Sequence, residues 1–248
     1  MSLLSFPGRL RNRVYSSLYR RVAALESPLP VVSFTFDDFP RSAYTAGSTI
    51  LEACGVRGTF YAATGLMNVE NALGENFHAE DLGVLIEHGH EVAIHGHRHV
   101  SARRVPVHEF LDDVELCQSE LGTLIPGGAS RNFAYPYGEA TLSCKRKLGS
   151  RMESSRGTIH GFNGPEVDLN LLRANPLYGD ESGIESARQL IQENEKRKTW
   201  LIFYSHDVRT NPSRYGCTPA FLRETISFAA SRRSTILPVG EVLRQFCL

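Results

Sequence analysis

The chain has 248 residues, 42% of them hydrophobic, enough for one barrel-sized domain around a single core. Lysine and arginine number 27, as do aspartate and glutamate, so no net charge draws the chain to nucleic acid. Five scattered cysteines without a Cys-x-x-Cys pair exclude a zinc ribbon and a full disulfide framework, and no apolar run reaches transmembrane length.

In chain order, Pro7-Gly8 interrupts the first residues before a signal-type apolar core can form, which gives the expectation of a cytoplasmic protein. Leu10, Val14, Leu18 and Val22 follow helical spacing, and Arg9, Arg11, Arg13, Arg20 and Arg21 surround them. The reading is an N-terminal amphipathic helical extension over residues 1–28 ahead of one domain over 29–248. Such a helix packs across the base of the domain or against a partner subunit. Contact with an anionic membrane surface is the less favoured reading.

Val31-Val32-Ser33-Phe34-Thr35-Phe36 has the composition of a strand, expected over 31–38. It runs into Asp37-Asp38-Phe39-Pro40, where proline removes a ladder donor. Two carboxylates at the tip of a buried strand are costly unless something binds or titrates them. The plain alternative is a solvated pair capping the next helix. A helix over 43–54, a strand over 58–63 and a helix over 79–88 follow.

The segment from His90 to His99 holds four of the nine histidines. A short strand over 91–95 leads into His95-Gly96-His97. His95 and His99 share a face on a helix or on a strand, whereas His97 joins them only on a strand, and Gly96 makes a turn plausible. Imidazoles at this density favour a metal. With Asp38 they make a two-histidine, one-carboxylate set that leaves positions open for water and substrate. That set also fits a non-haem iron oxygenase, and His95-Gly96-His97 fits a small β-barrel metal site.

A helix over 107–124 precedes an aromatic strand over 132–137 that ends in Pro136-Tyr137-Gly138. Strands over 151–155 and 174–178 come next, and residues 162–168, with Gly164 and Pro165, read as a substrate loop. A helix over 183–197, an apolar strand over 200–206 ending at His206-Asp207, a helix over 219–231 and a strand over 235–239 complete the chain. The alternation implies a parallel sheet. Ionisable residues that follow several such strands would meet at one rim of a barrel, where barrel enzymes place their active sites.

These blocks, in this order, resemble the polysaccharide deacetylases of the NodB-homology type, carbohydrate esterase family 4. Thr35-Phe36-Asp37-Asp38 is similar to the family's first motif, and His95 to His99 to its His-Ser/Thr-x-x-His motif. Phe133 to Gly138 is similar to the aromatic-Pro-Tyr-Gly block, and Leu201 to Asp207 to the hydrophobic-x-His-Asp block. Ser154 to Arg173 is a weaker likeness to the segment of the fourth motif. The likeness spans residues 31–239.

The resemblance implies an α/β fold, an irregular (β/α) barrel, with 29–248 as the catalytic domain. It implies Asp37 as the base, His206 as the general acid and Tyr137 as the residue whose backbone N–H holds an oxyanion. It implies one divalent metal on Asp38, His95 and His99, zinc first, with cobalt, nickel or manganese as alternatives, and His97 outside the set. Pro136, Arg156 and Arg173 are expected on the substrate side. The activity implied is removal of N-acetyl groups from a carbohydrate: an N-acetylated sugar, an oligosaccharide or a lipid-linked precursor.

Two positions depart from the family pattern. Gly96 stands where Ser or Thr is usual, and Ala134-Tyr135 where Arg-Pro is usual. The missing arginine is the usual partner of the base, so Arg156 or Arg173 is expected to pair with Asp37. The rival readings are a hydrolase of another linear amide and a retired scaffold that only binds carbohydrate. The presence of both Asp37 and His206 argues against the second.

Overall fold

The structure is a computed structural model that describes residues 17–247. Its strands are β1 (Val22–Ala24), β2 (Val31–Phe36), β3 (Thr59–Ala62), β4 (Glu70–Asn71), β5 (Gly74–Glu75), β6 (Glu91–Ile94), β7 (Ser130–Ala134), β8 (Ser154–Arg156), β9 (Glu166–Asp168), β10 (Asn175–Pro176), β11 (Trp200–Ser205) and β12 (Thr235–Ile236). The α-helices are α1 (Thr49–Ala53), α2 (Ala79–Glu87), α3 (Val107–Leu124), α4 (Leu142–Leu148), α5 (Ile184–Arg197), α6 (Pro219–Ser231) and α7 (Val239–Phe246).

Eight strands form one parallel sheet in the order β10-β11-β2-β3-β6-β7-β8, with β12 beside the start of β2. Side chains alternate across it. Val32, Phe34, Phe36, Leu201 and Phe203 belong to the core shared with the helices. Val31, Trp200, Ile202 and Tyr204 belong to a second core, closed by Val167, Leu172, Val239 and Val242. The sheet thus curls into an irregular (β/α) barrel. Its seam is an irregular stretch: Leu172 bridges Arg156, Leu172 N–H donates to Ser155 O at 2.8 Å, and Gly157 N–H donates to Leu172 O at 3.0 Å.

The base of the barrel is polar and fully connected. Glu91 accepts from Thr59 Oγ1 at 2.8 Å, from Asn132 Nδ2 at 2.6 Å and from Gly240 N at 2.9 Å. Asn132 Oδ1 accepts from Ser154 Oγ at 2.7 Å. A carboxylate from β6 thereby satisfies an open N–H in the first turn of α7 and ties that helix to three strands.

Thr218 caps α6 by accepting Phe221 N–H at 3.2 Å, with Pro219 at the first helical position. Thr141 does the same for α4. The helix expected over 43–54 begins instead with a π-helical stretch, Ala43–Ser48, beside the site loops. Ser48 Oγ donates back to Tyr44 O at 2.6 Å, and Gly47 lies so close to Phe36 and Val208 that a side chain there would crowd both. The strand expected over 151–155 starts three residues later, as β8, because Met152 N–H closes the end of α4 on Leu148 O at 2.9 Å. α4 and α7 were not expected.

Two expectations are corrected here. The basic segment 9–25 is not helical at its end: Val22–Ala24 is a strand antiparallel to β9, with Ala23 buried, while Arg9, Leu10, Arg11, Arg13 and Val14 lie outside the described residues. Arg21 is tied to the domain, donating to Gly149 O at 2.6 Å and Met152 O at 2.9 Å. Residues 162–168 are not a substrate loop. Asn163 pairs with Trp200, at the start of β11 and so at the far end from its rim, and Val167 is fully buried there. Among the described residues, no helix is long and apolar enough to cross a membrane.

Candidate active site

Register brings the chemistry together. β2 and β11 pair along their whole length, from Val31 with Trp200 to Phe36 with Ser205, and Asp37 N–H donates to Ser205 O at 2.9 Å. Asp37 and His206 therefore leave adjacent strands side by side. Asp38 and Phe39 then adopt φ of 60° and 67°, left-handed conformations rare for residues with side chains. This turn lets both carboxylates serve one rim, which strict alternation would forbid.

Asp38 Oδ1 lies 2.9 Å from His99 Nε2 and 3.2 Å from His95 Nε2, and His206 Nε2 is 4.0 Å from Asp38 Oδ2. Ligand atoms of Asp38, His95 and His99 all lie within 4.8 Å of one another. Asp38 Oδ1 is buried, yet neither imidazole is aligned to hydrogen-bond it. Three donor atoms that converge without satisfying one another fit a divalent cation. Burial alone would raise the Asp38 carboxyl, but the two imidazoles hold it well below the usual carboxylate range.

The ring orientations are set from behind. His95 Nδ1–H donates to Ala134 O at 2.8 Å, which leaves Nε2 to face Asp38. His206 Nδ1–H donates to Tyr215 O at 3.2 Å, with the same result. His97 turns away: its Nδ1 is 2.8 Å from Glu120 Oε2 and 3.1 Å from Thr64 Oγ1.

The two departures from the family pattern have local answers. Gly96 has φ 81°, and a Cβ there would meet Asp113 Oδ2 at 2.8 Å. The buried Asp113 of α3 occupies that space and accepts from His97 N at 2.9 Å, Arg98 N at 3.1 Å and Arg98 Nε at 2.8 Å. It braces the turn between the two histidines. Sequence reasoning missed Asp113; its signal was an acid on the apolar face of α3, beside Phe110, Val114 and Cys117. The cationic partner of Asp37 is Arg156, whose Nη2 donates to Asp37 Oδ1. Its guanidinium lies between the rings of Tyr61 and Tyr204, at 5.0 and 5.2 Å.

Arg156 is fully buried and Pro136 is buried next to Gly96, so neither sits on the substrate side as expected. Arg173 instead donates its backbone N–H to Asn163 Oδ1 at 2.9 Å and its Nη1 to His160 O at 3.1 Å, ordering the seam. Tyr137 is 58% exposed with φ 59°, and its ring packs 4.5 Å from that of His99. A second aromatic group surrounds His206: Tyr178 at 6.0 Å and Tyr215 at 5.5 Å. A wide cleft lined by Arg57, Glu91, Arg131 and Arg244 lies at the opposite end of the barrel and holds none of these residues.

The fold and this cluster define a (β/α)-barrel protein with an Asp-His-His centre and a second Asp-His pair on one rim. A model of the polysaccharide deacetylase family matches residues 25–152, just over half of the chain, and the chain belongs to that family. No curated protein matches it in sequence. A proposed polysaccharide deacetylase from Mycobacterium smegmatis superposes with a TM-score of 0.64 at 16% identity, over 91% of this chain and 94% of that one. The family 4 acetyl xylan esterase from Clostridium thermocellum, in complex with a cobalt ion, gives 0.58 at 19% identity over 86% and 90%. The family 4 carbohydrate esterase from Streptomyces lividans, in complex with acetate, gives 0.54 at 15% identity over 88% and 97%. At these identities the likeness is one of fold.

Proposed function

We propose that the protein is a metal-dependent hydrolase that removes N-acetyl groups from an amino-sugar-containing carbohydrate. The observation that carries this is the juxtaposition on one rim of the barrel of the Asp38-His95-His99 cluster, the Arg156-paired Asp37, and His206. Asp38, His95 and His99 would hold one divalent ion, zinc first. That ion supplies Lewis acidity, polarising the acyl carbonyl and making water more acidic. The cobalt in the Clostridium relative and the acetate in the Streptomyces one support this reading.

The chain's own groups divide the proton work. Asp37 takes a proton from the attacking water, held in place by Arg156. The Tyr137 N–H stabilises negative charge on the former carbonyl oxygen. His206 gives its Nε2 proton to the departing nitrogen while Nδ1–H stays on Tyr215 O. Water adds across the C–N bond, and acetate and the free amine leave.

Acetate release from N-acetylated sugars and short oligomers tests this, with protein stripped of metal and then reloaded. Asp37→Asn should lose about a hundred- to ten-thousandfold in turnover and keep its metal. His206→Ala should damage amide hydrolysis far more than hydrolysis of an activated phenyl acetate, whose leaving group needs no proton. Equal damage to both substrates would leave His206 a positioning residue, and no acetate from any N-acetylated sugar would end the proposal. The location is also a proposal: all five cysteines are unpaired, which suits a reducing compartment such as the cytoplasm, and cell fractionation checks it.

A further inference from the structure

Among the described residues, seven arginines stand on or near the catalytic rim, and acids neutralise most of them. Arg41 pairs with Asp81, Arg98 with Asp113, Arg103 with Glu139, Arg156 with Asp37 and Arg209 with Asp207. Arg104 and Arg214 differ. Both are exposed, and among the described residues neither forms an ion pair. Each lies instead on the face of an exposed tyrosine that itself packs on a histidine of the site. Arg104 is 5.7 Å from the ring of Tyr137, which is 4.5 Å from His99. Arg214 is 4.5 Å from the ring of Tyr215, which is 5.5 Å from His206. His99 follows β6 and His206 follows β11, with β2 and β3 between them, so the two Arg-Tyr pairs bracket the reacting position from opposite sides.

We propose that the substrate is an acylamino sugar that carries an oxyanion, a phosphate or a carboxylate, bound by Arg104 or Arg214. This rests on the deacetylase reading for the chemistry but on separate residues for recognition. A neutral glycan would need only the aromatic faces, since sugar C–H surfaces stack on tyrosine. Two guanidiniums left without carboxylates, each over a tyrosine ring, offer planar forks matched to phosphate or carboxylate. The ring beneath restricts each side chain, so less freedom is lost when the anion binds. Both charges sit in solvent, so their pull on a substrate is screened by salt.

The experiment compares N-acetylglucosamine, its 1-phosphate and N-acetylmuramic acid with the wild type, Arg104→Gln, Arg214→Gln and the double variant. Calorimetric binding is measured on metal-stripped protein, and KM for acetate release on reloaded protein. Binding of at least one anionic sugar about tenfold tighter than the neutral one is expected, an advantage lost in the double variant and weakened by salt. The phosphate and carboxylate arms identify which oxyanion is taken, and the single variants identify which arginine takes it. Equal affinity for neutral and anionic sugars, or an anion preference that survives the double substitution, overturns the proposal. Charge-selective binding without acetate release from any sugar would sustain it and overturn the deacetylase reading. Acetate release with equal KM for all three sugars would do the reverse.

Discussion

Asp37 and Arg156 are a buried charge pair, and neither can be removed without stranding the other. The guanidinium has no water to fall back on, and burial alone would lower its pKa, but Asp37 and the neighbouring tyrosines raise it. Arg156→Met should leave a buried carboxylate alone and destabilise the fold by about 3–5 kcal/mol. Asp37→Asn together with Arg156→Met should cost clearly less, because no charge is then left uncompensated. Urea unfolding of both single variants and the double closes the cycle, and additive losses would mean the two side chains are not coupled. Arg156→Lys retains the charge but not the planar group between Tyr61 and Tyr204, so rescue should be partial.

At the scale of the element, the ligand-bearing turn after β6 depends on α3. His95 directly follows β6 and His99, at φ 53°, sits four residues on, with neither a helix nor a strand to fix their spacing. The Asp113 carboxylate supplies that spacing by holding the N–H groups of His97 and Arg98. Asp113→Ala should therefore weaken divalent-metal binding about tenfold or more, in the manner of other supports behind a ligand. Competition with a chromophoric chelator measures it. Unchanged affinity in a folded variant would show that the turn holds its shape without α3. Gly96 is part of the same device, since its φ and the nearness of Asp113 both exclude a side chain.

At the scale of the whole molecule, stability should depend on pH through His90, which joins the segment after α2 to the starts of β3 and β6. Its Nδ1 accepts Gly58 N–H at 3.1 Å and its Nε2 faces Glu52 at 3.1 Å, with His88 and Arg57 nearby. Burial lowers its pKa from 6.5, against the pull of Glu52. The unfolded chain takes up the proton near 6.5 and the folded chain resists it. Folding therefore weakens as pH falls below 6.5, by up to about 1.4 kcal/mol per unit, until the folded imidazole also titrates. Above that range His90 is neutral in both states and adds no slope. Urea unfolding at about pH 7.5 and about pH 5.5 should show a smaller loss in His90→Gln than in the wild type. Equal losses would assign the pH dependence to other groups.

Local order made much of this protein legible in its sequence. The Val/Phe/Thr run ending in Asp37-Asp38, the apolar run ending in His206, and the alternation of strand and helix patterns required only neighbouring residues, because periodicity and chain breaks are local. α3 and α6 fall where their spacing predicts, while α4 and α7 are short and lean on tertiary contacts, so their patterns are weak. Three features belonged to the tertiary structure alone. The choice between Arg156 and Arg173 as the partner of Asp37 is one of them: Arg156 reaches Asp37 from 119 residues away, and nothing in Ser154-Ser155 says that the next side chain crosses the barrel. Asp113 braces a turn whose residues precede it by a separate element. Val22–Ala24 keeps a helix-like pattern but pairs with β9, because the open base of the barrel offers a partner strand and buries Ala23. Sequence encodes which residues tend to be buried or to turn, whereas which of them meet is decided by packing, which alone can override a local preference worth only tenths of a kilocalorie.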